Sequence, residues 1–448
     1  MSRPAQIKVL LYGLNHAPEI VGIGRYSGEL AQWLAQRGHA VRVITAPPYF
    51  PEWQASGNRY WREQRGAVRI QRCPLWVPAR PSGLTRLLHL ASFAISSLPP
   101  LLAQRQWQAD VVITVAPAFF CAPGALLLSS LSRRFSRRHS RGRALSWLHI
   151  QDFELDAAFE LGMLKGGWIR SLAEGWERRT LQRFERVSTI SEAMRQRLIE
   201  KGVAPERTML LPNWVDLEAI QPQPYAQREI NPYRRELGLD KDAHVLLYSG
   251  SMNKKQGLEL LVEVMDQLAD LPQVVWLLAG EGPTKEELVR ATASRSNVKL
   301  LPLQPSERLN DWLNLADVHL LPQKASAADL VLPSKLLGIL ASGRPVVASS
   351  PSNSELGQIA ERAGLRVDPG DARTFADALR QLVLDPKLRE QRGQEARRLA
   401  EARYGREAVL QHLEEKILEQ ANTPQAGKEQ KRAGKKRYNT SGIDRAQN

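Results

Sequence analysis

One lysine in the chain stands where a protein can hold a phosphate group. Lys335 follows Pro333 and Ser334 in a turn, and the short apolar helix predicted after it ends at Gly343. The free N–H groups of a helix N-terminus favour an anion, and a lysine beside them adds a positive charge. The stretch therefore predicts a clamp for a phosphorylated ligand, with Lys335 as its cation.

A histidine stands at a second such place. His149 comes near the end of residues 145–150, an apolar run that predicts a buried strand. Ligands bind at the carboxyl ends of parallel strands, so His149 is expected to face a crevice, where Asp152 could orient it or bind sugar hydroxyls. A structural histidine is the alternative. Asp152, Glu154 and Asp156 could form a metal site, but acidic residues that open the next helix are the simpler interpretation.

The elements around these residues alternate between strand and helix. A strand over 7–13 leads into a loop with Gly22 and Gly24, then into a helix and a strand over 40–45, which predicts a parallel sheet. The two glycines lack the third glycine and the acidic residue of a dinucleotide fingerprint, which argues against an oxidoreductase. The same alternation restarts near residue 244. The sequence therefore predicts an α/β protein with two doubly wound, Rossmann-like domains.

Length and composition set the domain boundaries. A chain of 448 residues is too long for one ordinary core. A stretch rich in proline, glutamine and arginine after residue 220 is typical of a linker. We predict a first domain over 1–220, a linker over 221–240, a second domain with closing helices over 241–422, and a basic disordered tail over 423–448.

The net charge of +15 is concentrated in arginines between residues 133 and 143 and in the tail. Such segments attract anionic lipid, nucleic acid or an acidic substrate, while a solvated loop and a disordered tail are the plain alternatives. Nucleic acid is the weakest candidate because the basic runs lack interleaved aromatics. The apolar stretch over 84–102 is interrupted by Arg86, His89 and the Pro99-Pro100 pair, so it falls short of a membrane span but could lie on a membrane surface.

The cellular compartment is predicted from two patterns that the sequence lacks, a disulfide framework and a signal peptide. Cys73 and Cys121 are the only cysteines, and no Cys/His spacing indicates a zinc site. The N-terminus enters its first strand without the pattern of a signal peptide. We therefore predict a cytoplasmic protein that is peripheral at the inner face of the cytoplasmic membrane.

The chain resembles the GT-B arrangement, which has two doubly wound halves and a phosphate-binding lysine in the second. The order of motifs resembles the GT4 family of retaining glycosyltransferases. The motifs are, in chain order, Gly22-Ile23-Gly24, His149 with Asp152, Pro212-Asn213-Trp214-Val215-Asp216, Ser249-Gly250-Ser251 with Lys255 and Gly257, Gly280-Glu281-Gly282-Pro283, and Pro333-Ser334-Lys335 with Gly343-Arg344-Pro345-Val346-Val347. Within the family, the chain looks most like the enzymes of colanic acid and related exopolysaccharide synthesis. The resemblance implies that the two domains face each other across a cleft, the first binding the acceptor and the second the nucleotide sugar.

The resemblance also implies a role for each motif. Lys335, with Ser334 beside it, would clamp the diphosphate of the donor. The residues that would assist are Lys255, the backbone N–H groups near Gly22 and Gly24, and Gly250 in the first motif of the second half. Glu281 would border the nucleobase. Asp329 would meet the donor sugar, and His149 would hydrogen-bond that sugar near the reacting carbon.

The chain departs from the family pattern at two positions. Gly338 stands where many members carry a glutamate that binds the ribose, and Ser251 stands where they carry an arginine. Lys335, Lys255 and helix N-termini can still supply positive charge to a leaving diphosphate. No Asp-x-Asp cation site is evident, so we expect a metal-independent enzyme without a cofactor, whose donor substrate is the nucleotide-diphosphate sugar.

The predicted function is transfer of a sugar from a nucleotide-diphosphate sugar to a lipid-linked or growing oligosaccharide in exopolysaccharide synthesis. Its predicted partners are this donor, the lipid-linked glycan acceptor and an anionic membrane surface. A GT-B epimerase or a phosphorylase is the second reading. A third is a non-catalytic scaffold that binds a nucleotide sugar or a membrane without turnover, because the family glutamate is missing at Gly338.

Overall fold

The computed structural model describes residues 6–19, 22–49, 53–55, 57–79, 83–116, 119–132, 143–153, 167–325 and 332–422. The chain divides into two compact units, Met1–Val187 with His412–Asn448, and Ser188–Gln411. The boundaries at 220 and 240 and the disordered tail stay predictions, and the tail lies outside the described residues.

The strands of the described residues form two sheets. They are β1 Lys8–Gly13, β2 Ala40–Thr45, β3 Trp61–Arg65, β4 Val68–Arg72, β5 Val111–Ala116, β6 Leu145–Ile150, β7 Arg186–Thr189, β8 Thr208–Leu210, β9 His244–Ser249, β10 Val274–Ala279, β11 Val298–Leu301, β12 Val318–Leu321, β13 Val346–Ser349 and β14 Gly364–Val367. The first sheet has the order β3-β4-β2-β1-β5-β6-β7-β8 and the second the order β11-β10-β9-β12-β13-β14.

Helices connect the strands. In the described residues they are α1 Gly22–Gln36, α2 Gly83–Ala103, α3 Ala122–Leu131, α4 Gly167–Leu181, α5 Glu192–Glu200, α6 Pro232–Glu236, α7 Leu260–Gln267, α8 Lys285–Thr292, α9 Leu309–Leu315, α10 Lys335–Ala341, α11 Glu355–Ala363, α12 Ala372–Leu384, α13 Pro386–Arg403 and α14 Arg406–Asn422. Helix α5 is capped at its N-terminus, since the Ser191 side chain accepts a hydrogen bond from the N–H of Met194.

Both sheets are doubly wound, as predicted. β1 pairs in parallel with β2 and β5, and β9 pairs in parallel with β10 and β12, so the strand order reverses beside β1 and beside β9. In the second unit, Leu246 and Tyr248 pack in one core with Trp276 and Phe375, whereas the intervening Leu247 packs in another with Trp312. A parallel sheet covered on both faces leaves its ligand crevice at the reversal point, beyond the carboxyl ends of the strands.

Helix α2 corrects one sequence expectation. The Pro99-Pro100 pair does not interrupt it, because the helix runs without a break from Gly83 to Ala103. Pro100 has no N–H for the carbonyl of Ser96, and the hydroxyl of Tyr60 donates to that carbonyl instead, at 2.8 Å. Within the described residues, the stretch Thr85–Gln106 has the length and apolar composition of a membrane span, a test that core helices of soluble proteins also pass.

The last helix belongs to the unit formed by the N-terminus. Glu414 of α14 accepts hydrogen bonds from His39 Nε2 at 2.7 Å and Arg37 Nη2 at 2.9 Å. Burial raises the pKa of Glu414, but the hydrogen bonds and the positive charge of Arg37 outweigh it and leave that pKa below its ordinary value. The carboxylate is therefore charged and buried, with partners on both oxygens.

Candidate active site

Lys335 lies at the point where the second sheet reverses. Its Nζ is buried, has no hydrogen-bond partner among the described residues, and lies 3.9 Å from the centre of the Tyr248 ring. Gly250, directly after β9, has φ +143°, and a Cβ at this position would lie 3.2 Å from Nζ. A glycine is therefore needed beside the lysine, both for the backbone angle and for the space.

The isolation of Lys335 changes its protonation. Burial lowers the pKa of its ammonium group from 10.5 to about 7, since no described carboxylate or carbonyl compensates for the lost water. An anion that enters the site supplies the missing charge and raises this pKa again.

The loops after β9 and β10 meet backbone to backbone beside the lysine. The N–H of Met252 donates to the carbonyl of Glu281 at 2.8 Å. A Cβ at Gly280 would come 1.9 Å from the carbonyl oxygen of Gly250, so only glycine fits. The carboxylate of Glu281 is more than half exposed and pairs with Lys285 at 2.6 Å. The structure therefore brings Lys335, Gly250 and the Glu281 turn together.

The other donor-side residues are less closely held. Lys255 lies in a 3₁₀ turn, Lys254–Gln256, which the side chain of Asn253 caps, and its side chain is exposed. Ser334 precedes α10, is exposed, and makes no side-chain capping bond. Asp329 lies outside the described residues. Of the predicted cations, Lys335 is therefore the buried one.

A small cavity joins two of the predicted motifs. It measures about 10 Å³, and Pro212 and Asn213 line it together with Pro333 and Ser334. The Oδ1 atom of Asn213 is buried and has no hydrogen-bond partner in the described part of the chain. This volume suits one water molecule, so the cavity is a contact between the motifs and is too small for a sugar.

Gly338 faces apolar side chains. A Cβ on this residue would lie 3.2 Å from Leu313 Cδ1 and 3.9 Å from Ile220 Cδ1. Both of these side chains belong to the core around α10. A larger residue at position 338 would therefore first meet this core.

The first unit carries His149 where the sequence predicts it. The residue lies at the carboxyl end of β6, is buried, and pairs in register with Val115 of β5. Its Nε2 lies 3.2 Å from the amide nitrogen of Gln151, which is a donor, so Nε2 accepts and the ring proton sits on Nδ1. Asp152 is described and half-buried, whereas Glu154 and Asp156 lie outside the described residues. No group of three or more metal-ligating side chains occurs in the described ranges.

The glycine loop after β1 already lies against a carboxylate of the protein, that of Glu19. Gly22 opens α1 with φ +61°, and a Cβ at Gly24 would come 2.5 Å from Oε2 of Glu19. Glu19 is buried and accepts hydrogen bonds from the Asn15 amide at 2.9 Å and the N–H of Tyr49 at 3.2 Å. A phosphate that contacts the first turn of α1 must therefore displace this carboxylate or share the site with it.

His16 is a candidate that the sequence analysis missed. It follows β1, beside which the first sheet reverses, and its Nε2 is buried without a hydrogen-bond partner in the described residues. Burial lowers the pKa of His16 to about 4, so the ring is neutral at pH 7. The rule that singles out His149, a histidine after a strand end, also applies to His16.

Two family models cover most of the chain. Residues 21–214 match the glycosyl transferase 4-like domain, and residues 229–399 match glycosyl transferases group 1. The chain is also 43% identical over 419 residues to the putative colanic acid biosynthesis glycosyl transferase WcaI of Escherichia coli K12, an alignment that covers 91% of this chain and 98% of that protein. The chain is a group 1 glycosyltransferase.

Further relatives and solved structures agree with this family. The glycosyltransferase is 29% identical over 198 residues to D-inositol 3-phosphate glycosyltransferase 1 of Catenulispora acidiphila, covering 41% of this chain and 45% of that protein. Sucrose-phosphate synthase from Thermosynechococcus elongatus superposes with a TM-score of 0.68 at 18% identity, over 92% of this chain and 98% of that one. Anabaena Alr3699/HepE in complex with UDP-glucose superposes with a TM-score of 0.64 at 16% identity, over 92% and 99%. These structures confirm the predicted GT-B fold of two Rossmann-like domains.

Proposed function

We propose that this glycosyltransferase moves a sugar from a nucleotide-diphosphate sugar to a lipid-linked or growing oligosaccharide in exopolysaccharide synthesis, with retention and without a metal ion. The similar Escherichia coli protein carries a colanic acid biosynthesis name, and the Anabaena protein of like fold was solved with UDP-glucose. The epimerase and scaffold readings have no comparable support.

The observation that carries the proposal is the buried, unpartnered Nζ of Lys335 beside Gly250. When a nucleotide diphosphate leaves, negative charge grows on its phosphate oxygens. A cation in a water-poor place stabilises this charge far better than one in bulk solvent, because less water screens it. Lys335 meets that condition, whereas the exposed Lys255 is suited to a supporting role.

The remaining residues come from both units and contact the donor. On the donor side, Ser334 and Gly250 border the diphosphate, Glu281 borders the nucleobase, and Asp329 meets the sugar. On the side of the first unit, His149 hydrogen-bonds the donor sugar through the ring nitrogen that the substrate reaches. N–H groups near Gly22 and Gly24 contact the phosphates once Glu19 makes room. In a retaining transfer of this kind the acceptor attacks on the face from which the phosphate departs, and a phosphate oxygen takes its proton.

The decisive experiment compares Lys335→Ala with the wild-type enzyme in thermal-shift assays against UDP- and GDP-sugars. A donor that binds only the folded state raises the melting temperature, by an amount that corresponds to about 2.7 kcal/mol at a hundredfold excess over Kd. We expect the wild type to respond to one donor and Lys335→Ala to lose that response and the transfer activity. Lys416→Ala, on the exposed face of α14, is the matched control. Full activity of Lys335→Ala would refute the assignment.

We also propose that the first unit holds the enzyme at an anionic membrane. Leu88 and Ile95 of α2 are seven residues apart on one helix face and are 52% and 73% exposed. The sequence places several arginines between residues 133 and 143. Apolar side chains and basic charge together are the combination that binds anionic bilayers.

Sedimentation with vesicles that contain phosphatidylglycerol tests this association. The Leu88→Glu/Ile95→Glu variant is expected to stay in the supernatant while the wild type pellets. Leu303→Glu, in the second unit and with the same 52% exposure as Leu88, is the control and should still pellet. Equal sedimentation of the α2 variant and the wild type would contradict the proposal.

A further inference from the structure

The first unit contains a second cavity, remote in sequence from every motif of the donor site. It measures about 520 Å³, within the range of small-molecule sites. Its lining residues include two tryptophans, two residues with amide side chains and two with aliphatic side chains: Trp53, Trp76, Gln54, Asn58, Leu75 and Val77. No charged side chain is among its described lining residues.

One wall is fixed by an unusual backbone. Trp53 has φ +53°, a conformation that non-glycine residues rarely adopt and that tends to occur at binding sites. Its ring lies 5.7 Å from that of Tyr49 in an edge-on arrangement and 5.7 Å from that of His89. These two neighbours hold the indole in place while it lines the cavity.

The second tryptophan of the lining, Trp76, is held by helix α2. The N–H of Trp76 donates to the hydroxyl of Ser92 at 2.9 Å, and its carbonyl accepts from Nδ1 of His89 at 2.6 Å. Because a carbonyl oxygen can only accept, Nδ1 of His89 carries a proton in this hydrogen bond, and burial lowers the pKa of the ring. His89 of α2 thus contacts both Trp53 and Trp76, so this one helix helps to position both tryptophans.

We propose that this cavity binds a neutral sugar ring of the glycan acceptor. The electron-rich face of an indole attracts the polarised C–H groups on the apolar face of a pyranose, and amides such as Gln54 and Asn58 can hydrogen-bond its hydroxyls. A phosphate or a uronic acid would find no cation among the described lining residues. A lipid tail would leave both amides without a partner.

This assignment rests on the proposed function, because it makes the first unit the acceptor side of the transferase. It differs from the donor site in the chemistry it selects: aromatic stacking and neutral hydrogen bonds in place of phosphate charge. Trp76 is 46% exposed, so its side chain can be changed without opening the core.

The experiment screens the full-length enzyme against an array of neutral and acidic oligosaccharides and measures the affinity for the best ligand. The variants are Trp76→Ala, Trp76→Phe and, as the matched control, Trp168→Ala on α4, a tryptophan with 71% exposure that is not part of the cavity. We expect a neutral oligosaccharide to bind, Trp76→Ala to weaken it at least tenfold, Trp76→Phe to retain most of the affinity, and Trp168→Ala to match the wild type.

Two further measurements separate this inference from its alternatives. The thermal shift with the donor sugar should be the same in Trp76→Ala and wild type. If the wild type itself shows no shift with any donor, the proposed function is contradicted, and the oligosaccharide array alone then decides whether the cavity binds a sugar. Binding to the vesicles that contain phosphatidylglycerol should also be the same in Trp76→Ala and wild type. The inference is overturned if the wild type retains no neutral oligosaccharide, if Trp76→Ala binds it equally well, or if Trp76→Ala loses vesicle binding instead.

Discussion

Replacing Lys335 with methionine is expected to stabilise the donor-free enzyme while it abolishes donor binding. The Nζ of Lys335 is buried against the Tyr248 ring, without a hydrogen-bond partner in the described residues. Methionine has a similar length and flexibility but carries no charge, so it can occupy the same space without the loss of hydration. The fold therefore keeps a lysine where stability alone favours an apolar side chain.

The magnitude follows from the pKa. Burial lowers the pKa of Lys335 from 10.5 to about 7. Because one pKa unit corresponds to about 1.4 kcal/mol, this lowering corresponds to at most about 5 kcal/mol in the free energy of unfolding. The unfolded chain keeps the proton up to the ordinary pKa. The penalty is therefore fully present below about pH 7 and disappears as the pH rises toward 10.5.

Urea unfolding of both proteins near pH 6.5, 8 and 9.5 measures this difference. We expect Lys335→Met to be more stable than the wild type at the lowest pH, by roughly 2 to 5 kcal/mol, and the advantage to shrink at each higher pH. Lys416→Met, at an exposed position, should change stability little at any pH. A Lys335→Met protein that is less stable than the wild type near pH 6.5, or a difference that does not depend on pH, would refute the reasoning.

The remaining predictions concern the donor, its loop and the last helix. Donor affinity of the wild type should fall about tenfold from pH 6 to pH 8, because Lys335 has a pKa of about 7 in the free enzyme and must be protonated in the complex. Calorimetry in buffers of different ionisation enthalpy should detect proton uptake on donor binding above pH 7. Donor binding without proton uptake would contradict the assignment. Gly280→Ala should abolish donor binding, because its Cβ would lie 1.9 Å from a backbone oxygen of the loop after β9, and an unchanged thermal shift with donor would show that this loop contact does not matter. Glu414→Gln should lower the free energy of unfolding by about 3 kcal/mol near pH 7, with Glu415→Gln as the exposed control. Because the pKa of Glu414 is lowered in the fold, the difference between variant and wild type should vanish as acid protonates the wild-type carboxylate. A difference that persists at acid pH would argue against the ion pair.

The regular part of the fold could be predicted from local sequence because buried parallel strands are continuous apolar runs. β6 is buried along its full length and is predicted correctly. β3 was not predicted, because residues 61–65 are mostly polar. They form an edge strand through antiparallel pairing with β4, which the local sequence does not show. In α2 the carbonyl of Ser96, which has no N–H from Pro100, accepts from the hydroxyl of Tyr60, 36 residues away from Ser96 along the chain, a contact that no local pattern reveals.

The candidate site shows the same division. That His149 lies at the carboxyl end of a strand and that Lys335 opens a helix could be predicted from the sequence pattern and from motif order. That Lys335 has no described partner, that Glu19 lies against Gly24, and that two tryptophans bracket a cavity all depend on contacts between distant segments. His16 satisfied the strand-end rule and was overlooked only because no family motif drew attention to it.

The contact between His39 and Glu414 has a consequence for the way the chain is made. The two residues are 375 positions apart, yet their hydrogen bond is buried within one unit. During synthesis the segments that build the second unit, Ser188–Gln411, leave the ribosome before Glu414 does. The hydrogen bond between His39 and Glu414 can therefore form only after all residues of the second unit have been synthesised. A chain that ends before residue 406 lacks α14 and leaves His39 and Arg37 without the carboxylate that pairs with them.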